Sequence, residues 1–252
     1  MIMNINLYLT FLYSFFLLLL GCPPQSHEPI KVSGNLVQSL NHDAWDQLVK
    51  KHVDDKGNVD YKRFKEDAEQ LNGYIDFLSK NPISRTAKKE ERLAYYINLY
   101  NAGTVQLILE HYPLESIKNI FRPWGKDRLV IGDNKYSLGE IEHDILRKMN
   151  EPRIHFAINC ASFSCPKLLN EAYTASKMEK QLQRATFEFI NDVSKNKISQ
   201  NTVSLSKIFK WYKGDFTKKN SLIDYIEKYS DIEFSDDLDI EYLTYDWRLN
   251  EK

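Results

Sequence analysis

Residues 153–166, Arg-Ile-His-Phe-Ala-Ile-Asn-Cys-Ala-Ser-Phe-Ser-Cys-Pro, put one thiol five positions after an imidazole and a second thiol five positions further on. A cysteine attacks as its thiolate, and a nearby imidazole can take the proton, so His155 and Cys160 form a candidate base–nucleophile pair. The imidazole then needs an acceptor to orient it. Glu140, Glu142 and Asn159 are close in sequence, and Asp215 is a distant candidate. The same sulfurs admit a second chemistry, because in an oxidising compartment Cys160 and Cys165 are expected to close a disulfide. His143, His155, Cys160 and Cys165 also contain the atoms of a zinc shell. Neither Cys-x-x-Cys nor His-Glu-x-x-His occurs, however, so no metal and no other cofactor is expected.

Two other stretches carry candidate binding groups. In Tyr-Tyr-Ile-Asn-Leu-Tyr-Asn-Ala-Gly (95–103), Asn98 and Asn101 fall on one helical face within an aromatic stripe. Buried amides must find partners, so this pair either stitches the helix to a loop or lines a pocket. Residues 206–216, Ser-Lys-Ile-Phe-Lys-Trp-Tyr-Lys-Gly-Asp-Phe, interleave lysines with Phe209, Trp211, Tyr212 and Phe216 and end near Asp215. This surface suits a peptide or an envelope polymer, or else an aromatic core flanked by snorkelling lysines.

Which thiol chemistry applies depends on the compartment. The apolar run Leu7–Leu20 has the length of a signal-peptide core and is short for a bilayer span. It ends Leu-Leu-Gly-Cys, with Cys22 placed as the residue that receives lipid, although no Lys or Arg precedes the run. The expected organisation is a lipoprotein signal peptide over 1–21, a Pro-containing tether over 22–35 and one globular domain over 36–252. The protein is then held to the membrane through lipid on Cys22, on the periplasmic face of the outer membrane in a Gram-negative host. A formal net charge of −1 with scattered Lys and Arg gives no nucleic-acid footprint.

Periodicity supplies the frame. Apolar residues from Leu36 to Val53 fall at helical spacing, Asp54–Asn58 reads as a turn, and residues 61–80 and 88–112 read as further helices. A short helix is expected over 114–121 and a hairpin over 128–138. Ser137 and Glu140 form a capping-box pattern for a helix to Met149, which gives Glu140 a purely structural alternative. The alternation in Arg-Ile-His-Phe-Ala-Ile-Asn predicts a strand whose polar face presents His155. Ser176 and Glu179 predict a second capping box, for a helix to about Val193. A strand over 202–205 turns helical near Ser206, 220–229 is helical, and the C-terminal stretch is strand-like. These elements predict an α+β fold: a mostly helical single domain with a small, mainly antiparallel sheet.

The stretches GNVDYKRF, AYYINLYNAGTV, YSLGEIEHDILR, PRIHFAINCASFSCP, LSKIFKWYKGDF and YDWRLN, in this order, resemble the family of domains of unknown function numbered 547, over about 42–250. The resemblance implies an exported or lipoprotein setting in bacteria and a distant relation to papain-like or transglutaminase-like cysteine hydrolases. It brings no established activity with it. Asn98, Asn101, Glu142, His143, His155, Cys160, Cys165, Pro166, Trp211 and Asp215 occupy its motif positions. Tyr96 stands where many members have Trp, and Phe163 where a small or basic residue is common. The leading expectation is a thiol-dependent hydrolase or acyl-transferase, with Cys160 as nucleophile, His155 as base and Glu142 or Glu140 as orienter. The alternative is a non-catalytic binding or scaffolding lipoprotein bridged at Cys160–Cys165.

Overall fold

A computed structural model describes residues 40–230, 232, 234 and 238–252; the expected signal peptide, Cys22 and tether lie outside the described residues. The first helix, α1 (Asp43–His52), begins where the Asn41 side chain accepts the Asp43 N–H, and it buries Trp45, Leu48 and Val49. In the turn that follows, the Asp54 carboxylate accepts the backbone N–H groups of Lys56 and Asn58. Gly57 sits there at φ +82°, and a Cβ would lie 2.7 Å from the Cβ of Lys167. Only glycine allows that approach.

The expected second helix is split into α2 (Tyr61–Phe64), a 3₁₀ turn and α3 (Ala68–Lys80). α4 (Lys89–His111) matches its prediction closely and is buried on nearly every side, including Ala94, Leu99, Ala102 and Val105 beyond the predicted stripe. It is the central post of the fold. Residues 114–121 form only a 3₁₀ turn at Ile117–Asn119, a shortfall against the expected helix. The hairpin is present: β1 (Leu129–Ile131) pairs antiparallel with β2 (Asn134–Tyr136), Leu129 opposite Tyr136.

α5 (Leu138–Glu140) opens on the expected Ser137–Glu140 box. It widens at once into a π-helical turn over Ile141–Leu146, which turns Glu142 inward. The predicted strand over 153–159 is absent. Pro152 starts a 3₁₀ helix, Pro152–Phe156, and the Glu151 carboxylate caps the Arg153 N–H. Proline's fixed φ suits a first helical position, and this local start overrides the apolar–polar alternation. α6 (Met178–Asn191) is entered through a 3₁₀ turn, Ala175–Lys177, so Ser176 lies inside helical backbone and does not cap it, and the Glu179 carboxylate is taken by the Arg153 guanidinium at 2.7 and 2.8 Å.

The remaining strands are β3 (Lys197–Ser199) and β4 (Thr202–Leu205). Ser206 then caps α7 (Lys207–Trp211), followed by α8 (Lys213–Phe216), α9 (Leu222–Glu227) and β5 (Ile240–Tyr242). β3–β4 is antiparallel and β4–β5 parallel, so the strands make two small sheets. The architecture is α+β, and residues 39–252 form one compact unit. Its core has two clusters, one around α4 and one around α6–α9 with β4. Trp247 packs against both. No helix of the described residues is long and apolar enough to cross a membrane.

Candidate functional site

The two clusters meet along a cavity of about 380 Å³, large enough for a small ligand. His155 is held in its wall by its neighbour. Phe156 packs on Phe216 at 5.6 Å between ring centroids, and both belong to the second cluster. Those anchors adjoin His155 and Asp215 in sequence and fix the His155 Nε2–Asp215 Oδ2 bond at 2.9 Å. The Arg147 guanidinium grips both oxygens of Asp215, at 2.6 and 3.1 Å. The hydrogen bond from His155, then the one from Arg147, holds the Asp215 carboxyl well below the usual carboxylate range despite partial burial. Burial lowers the pKa of His155 against the pull of Asp215, which favours a neutral imidazole. Its ring stacks on Tyr212 at 3.9 Å.

The orienter of His155 is therefore Asp215, not Glu142 or Glu140. Glu142 is buried and accepts from the hydroxyls of Tyr100, at 3.3 Å, and Tyr212. Glu140 stays at the helix start on the backbone N–H and hydroxyl of Ser137. Its carboxyl falls below its usual range through those bonds.

The cysteine loop is wound around Asn159. That side chain donates to Pro166 O at 2.7 Å and accepts the Ala161 N–H at 2.8 Å. Ala161 is left-handed at φ +58°, a conformation costing an alanine about 1–2 kcal/mol. The turn brings the Cys165 sulfur 2.8 Å from the Cys160 N–H and 2.6 Å from the Cys160 sulfur. Both cysteines are free thiols in contact. Tyr245 Oη lies 3.3 Å from the Cys160 sulfur and Ser162 Oγ 3.6 Å from it. The hydrogen bonds shared with Cys165, then with Tyr245 and Ser162, outweigh burial and lower the Cys160 pKa. Burial pushes the Cys165 thiol well up. Among the described residues, none of these sulfur bonds goes to His155. Base and thiol share a cavity but are not hydrogen-bonded.

The remaining wall is aromatic. Trp211 lies 4.8 Å from Tyr245 and 5.8 Å from Trp247, Tyr245–Trp247 is 4.5 Å, and Trp124–Trp247 is 5.8 Å. Trp211 is 46% exposed and opens on the cavity, not into a core. Asn98 and Asn101 are absent from the lining. Asn98 exchanges two hydrogen bonds with the Tyr173 backbone, and Asn101 bonds Ala157 O and the Asn159 N–H. Their amides stitch α4 to the loops, so Asn101 serves the site by fixing the cysteine turn. Phe163 faces Lys195 instead, with the ammonium 4.3 Å from its ring. His143 lines the cavity with half its side chain exposed. Among the described residues, no group of three or more His, Cys, Asp or Glu is placed to hold a metal ion.

Residues 84–190 match the family described as protein of unknown function, DUF547. This is the domain family that the sequence motifs resemble, over a shorter stretch than they span. No curated protein and no solved structure matches the chain. The DUF547 stretch carries Glu142, His155 and both cysteines, whereas Trp211, Asp215, Tyr245 and Trp247 lie beyond it. The wall residues that sequence reading missed are Tyr100, Trp124, Tyr245 and Trp247. Tyr100 lies in the quoted AYYINLYNAGTV stretch and Tyr245 and Trp247 in YDWRLN, whereas Trp124 lies in none of the quoted motifs.

Proposed function

We propose that this chain is a lipid-anchored cell-envelope protein, held through Cys22, whose pocket performs thiol–disulfide exchange at Cys160. The contact between the two sulfurs at the pocket wall, 2.6 Å, carries the reading. An ionisable thiol on a half-buried residue at the cavity wall, beside a buried one of raised pKa, is the pairing this exchange needs. The Cys160 thiolate attacks one sulfur of a substrate disulfide and expels the other half as a thiolate. That thiolate takes the Cys165 proton as the Cys165 sulfur attacks Cys160. The second half leaves as a thiolate and collects from water the proton that Cys160 had released. Two electrons pass from protein to substrate, and the reverse sequence oxidises a dithiol. The substrate class is a disulfide on a peptide or small molecule of the envelope.

The His155–Asp215 pair favours a second reading, since His155 shares the cavity with Cys160. This is acyl transfer or hydrolysis, in a papain-like or transglutaminase-like frame, with Cys160 as nucleophile, His155 as base and Asp215 as orienter.

Cys165→Ala separates the two. Under exchange, 2-hydroxyethyl disulfide leaves a stable adduct on Cys160 in this variant, seen by intact mass, while the reduced wild type resolves it to an internal bridge two hydrogens lighter. Under acyl transfer, turnover of an activated ester survives Cys165→Ala and falls about 100-fold or more in Asp215→Asn, within the range general-base catalysis contributes. Exchange is excluded if reduced wild type consumes no disulfide and Cys165→Ala forms no adduct.

A further inference from the structure

The polar groups of the cavity are largely spent on one another. Tyr100 and Tyr212 give their hydroxyls to Glu142, Tyr245 Oη pairs with the Cys160 sulfur, and His155 Nε2 is bound to Asp215. A sugar or an extended peptide backbone would need several unspent donors and acceptors. What the cavity still offers is charge and aromatic faces. Glu142 supplies a carboxylate whose nearest basic neighbour is the His143 ring at 3.8 Å. Arg147 is committed to Asp215. No Lys or Arg occurs among the described residues that line the cavity. Three tryptophans and Tyr245 close the other side, with neighbouring ring centroids 4.5–5.8 Å apart. A π face attracts a cation within about 6 Å of its centroid, and tryptophan does so best. Trp247 already shows this behaviour, since the Lys118 ammonium stands 5.3 Å from its ring.

We propose that the cavity is a binding site for an N-methylated or quaternary ammonium group, seated against Trp124, Trp211, Trp247 and Tyr245 with Glu142 as its counter-charge. Such a group carries positive charge, fills apolar space and needs few hydrogen bonds, which is what the lining supplies. An anion would be repelled by Glu142, and a neutral apolar ligand would forgo the carboxylate. The site stands whether or not Cys160 exchanges disulfides.

Three of the chain's four tryptophans line the cavity, so intrinsic fluorescence reads its occupancy directly. The reduced full-length protein in non-ionic detergent is titrated with choline and with its neutral isostere, 3,3-dimethyl-1-butanol. Choline is expected to change the emission saturably and to bind at least tenfold more tightly than the alcohol. Glu142→Gln should remove that preference while leaving the alcohol unaffected. Trp211→Leu, at a half-exposed position with little to unsettle, should weaken choline several-fold and keeps the test alive if Glu142→Gln does not fold. Equal affinity for the two probes, no saturation with choline, or choline binding indifferent to Trp211→Leu would overturn the proposal.

Discussion

The sulfur of Cys160 ionises more readily because Cys165 hydrogen-bonds to it, while Cys165, sealed by its surroundings, keeps its own proton. Replacing Cys165 with alanine removes that partner. A hydrogen bond to a charged group contributes about 1.5–3 kcal/mol, which raises the Cys160 pKa by roughly one to two units. At neutral pH less thiolate is present, so alkylation by iodoacetamide slows and its pH midpoint moves upward by about one to two units. An unmoved midpoint would assign the lowered pKa to Tyr245 and Ser162 instead. The chemical identities of this site were legible in the sequence: His155, Cys160 and Cys165 all reach one cavity. Their mutual geometry was not. The strand parity that placed His155 toward Cys160 fails because Pro152 begins a helical turn. The partner of His155 is Asp215, 60 positions away, which the sequence offered only as a distant candidate because spacing does not reach that far.

Local patterns translated well into elements, and non-local ones did not. The Ser137 box, the β1–β2 hairpin and the long α4 all depend on residues a few positions apart, and all form. The Ser176 box does not form: a 3₁₀ turn already includes Ser176, and Arg153, 26 positions before Glu179, holds its carboxylate. The segment from Tyr245 to Glu251 reads as a short strand but acts as a strap. Bridges link it to Val59, Ser116 and Ser162, and its Leu249 and Asn250 N–H groups bond Glu115 and Ala161. Asn250 is its deepest polar anchor. It accepts the Tyr61 hydroxyl at 2.7 Å and donates to Gly57 O at 3.1 Å. Asn250→Ala strands a fully buried tyrosine hydroxyl and a carbonyl, a loss of about 2–4 kcal/mol. A chemical-denaturation midpoint checks this. The slope should stay unchanged, since the surface exposed on unfolding is the same.

At the scale of the whole molecule, two buried imidazoles make the fold weaker as pH falls below neutrality. His42, bonded to Tyr74 Oη at 2.7 Å, is pushed down to about 4 by burial, and His155 is lowered by the same cause. In the unfolded chain both protonate near pH 6.5. For His42 the unfolded state therefore binds more protons between about pH 6.5 and 4, and stability falls with pH by up to about 1.4 kcal/mol per unit; His155 adds a loss of the same sign below about pH 6.5. Asp215 adds nothing in that window. Its depressed pKa gives stability that is complete above about pH 4 and is lost only below it. Denaturation midpoints measured at pH 7, 6 and 5 should decline steadily, and His42→Gln should remove about one ring's share of the slope. The strap also has a consequence in time. The Cys160 sulfur meets Tyr245, which comes 85 positions later. At typical translation speeds that lag is roughly 4 to 17 seconds. Throughout it the nascent loop has its two sulfurs five residues apart and lacks the Tyr245 phenol and the Trp247 indole. Whatever oxidant or reductant a newborn chain meets first thus acts on bare thiols, before the finished chamber can choose its visitors.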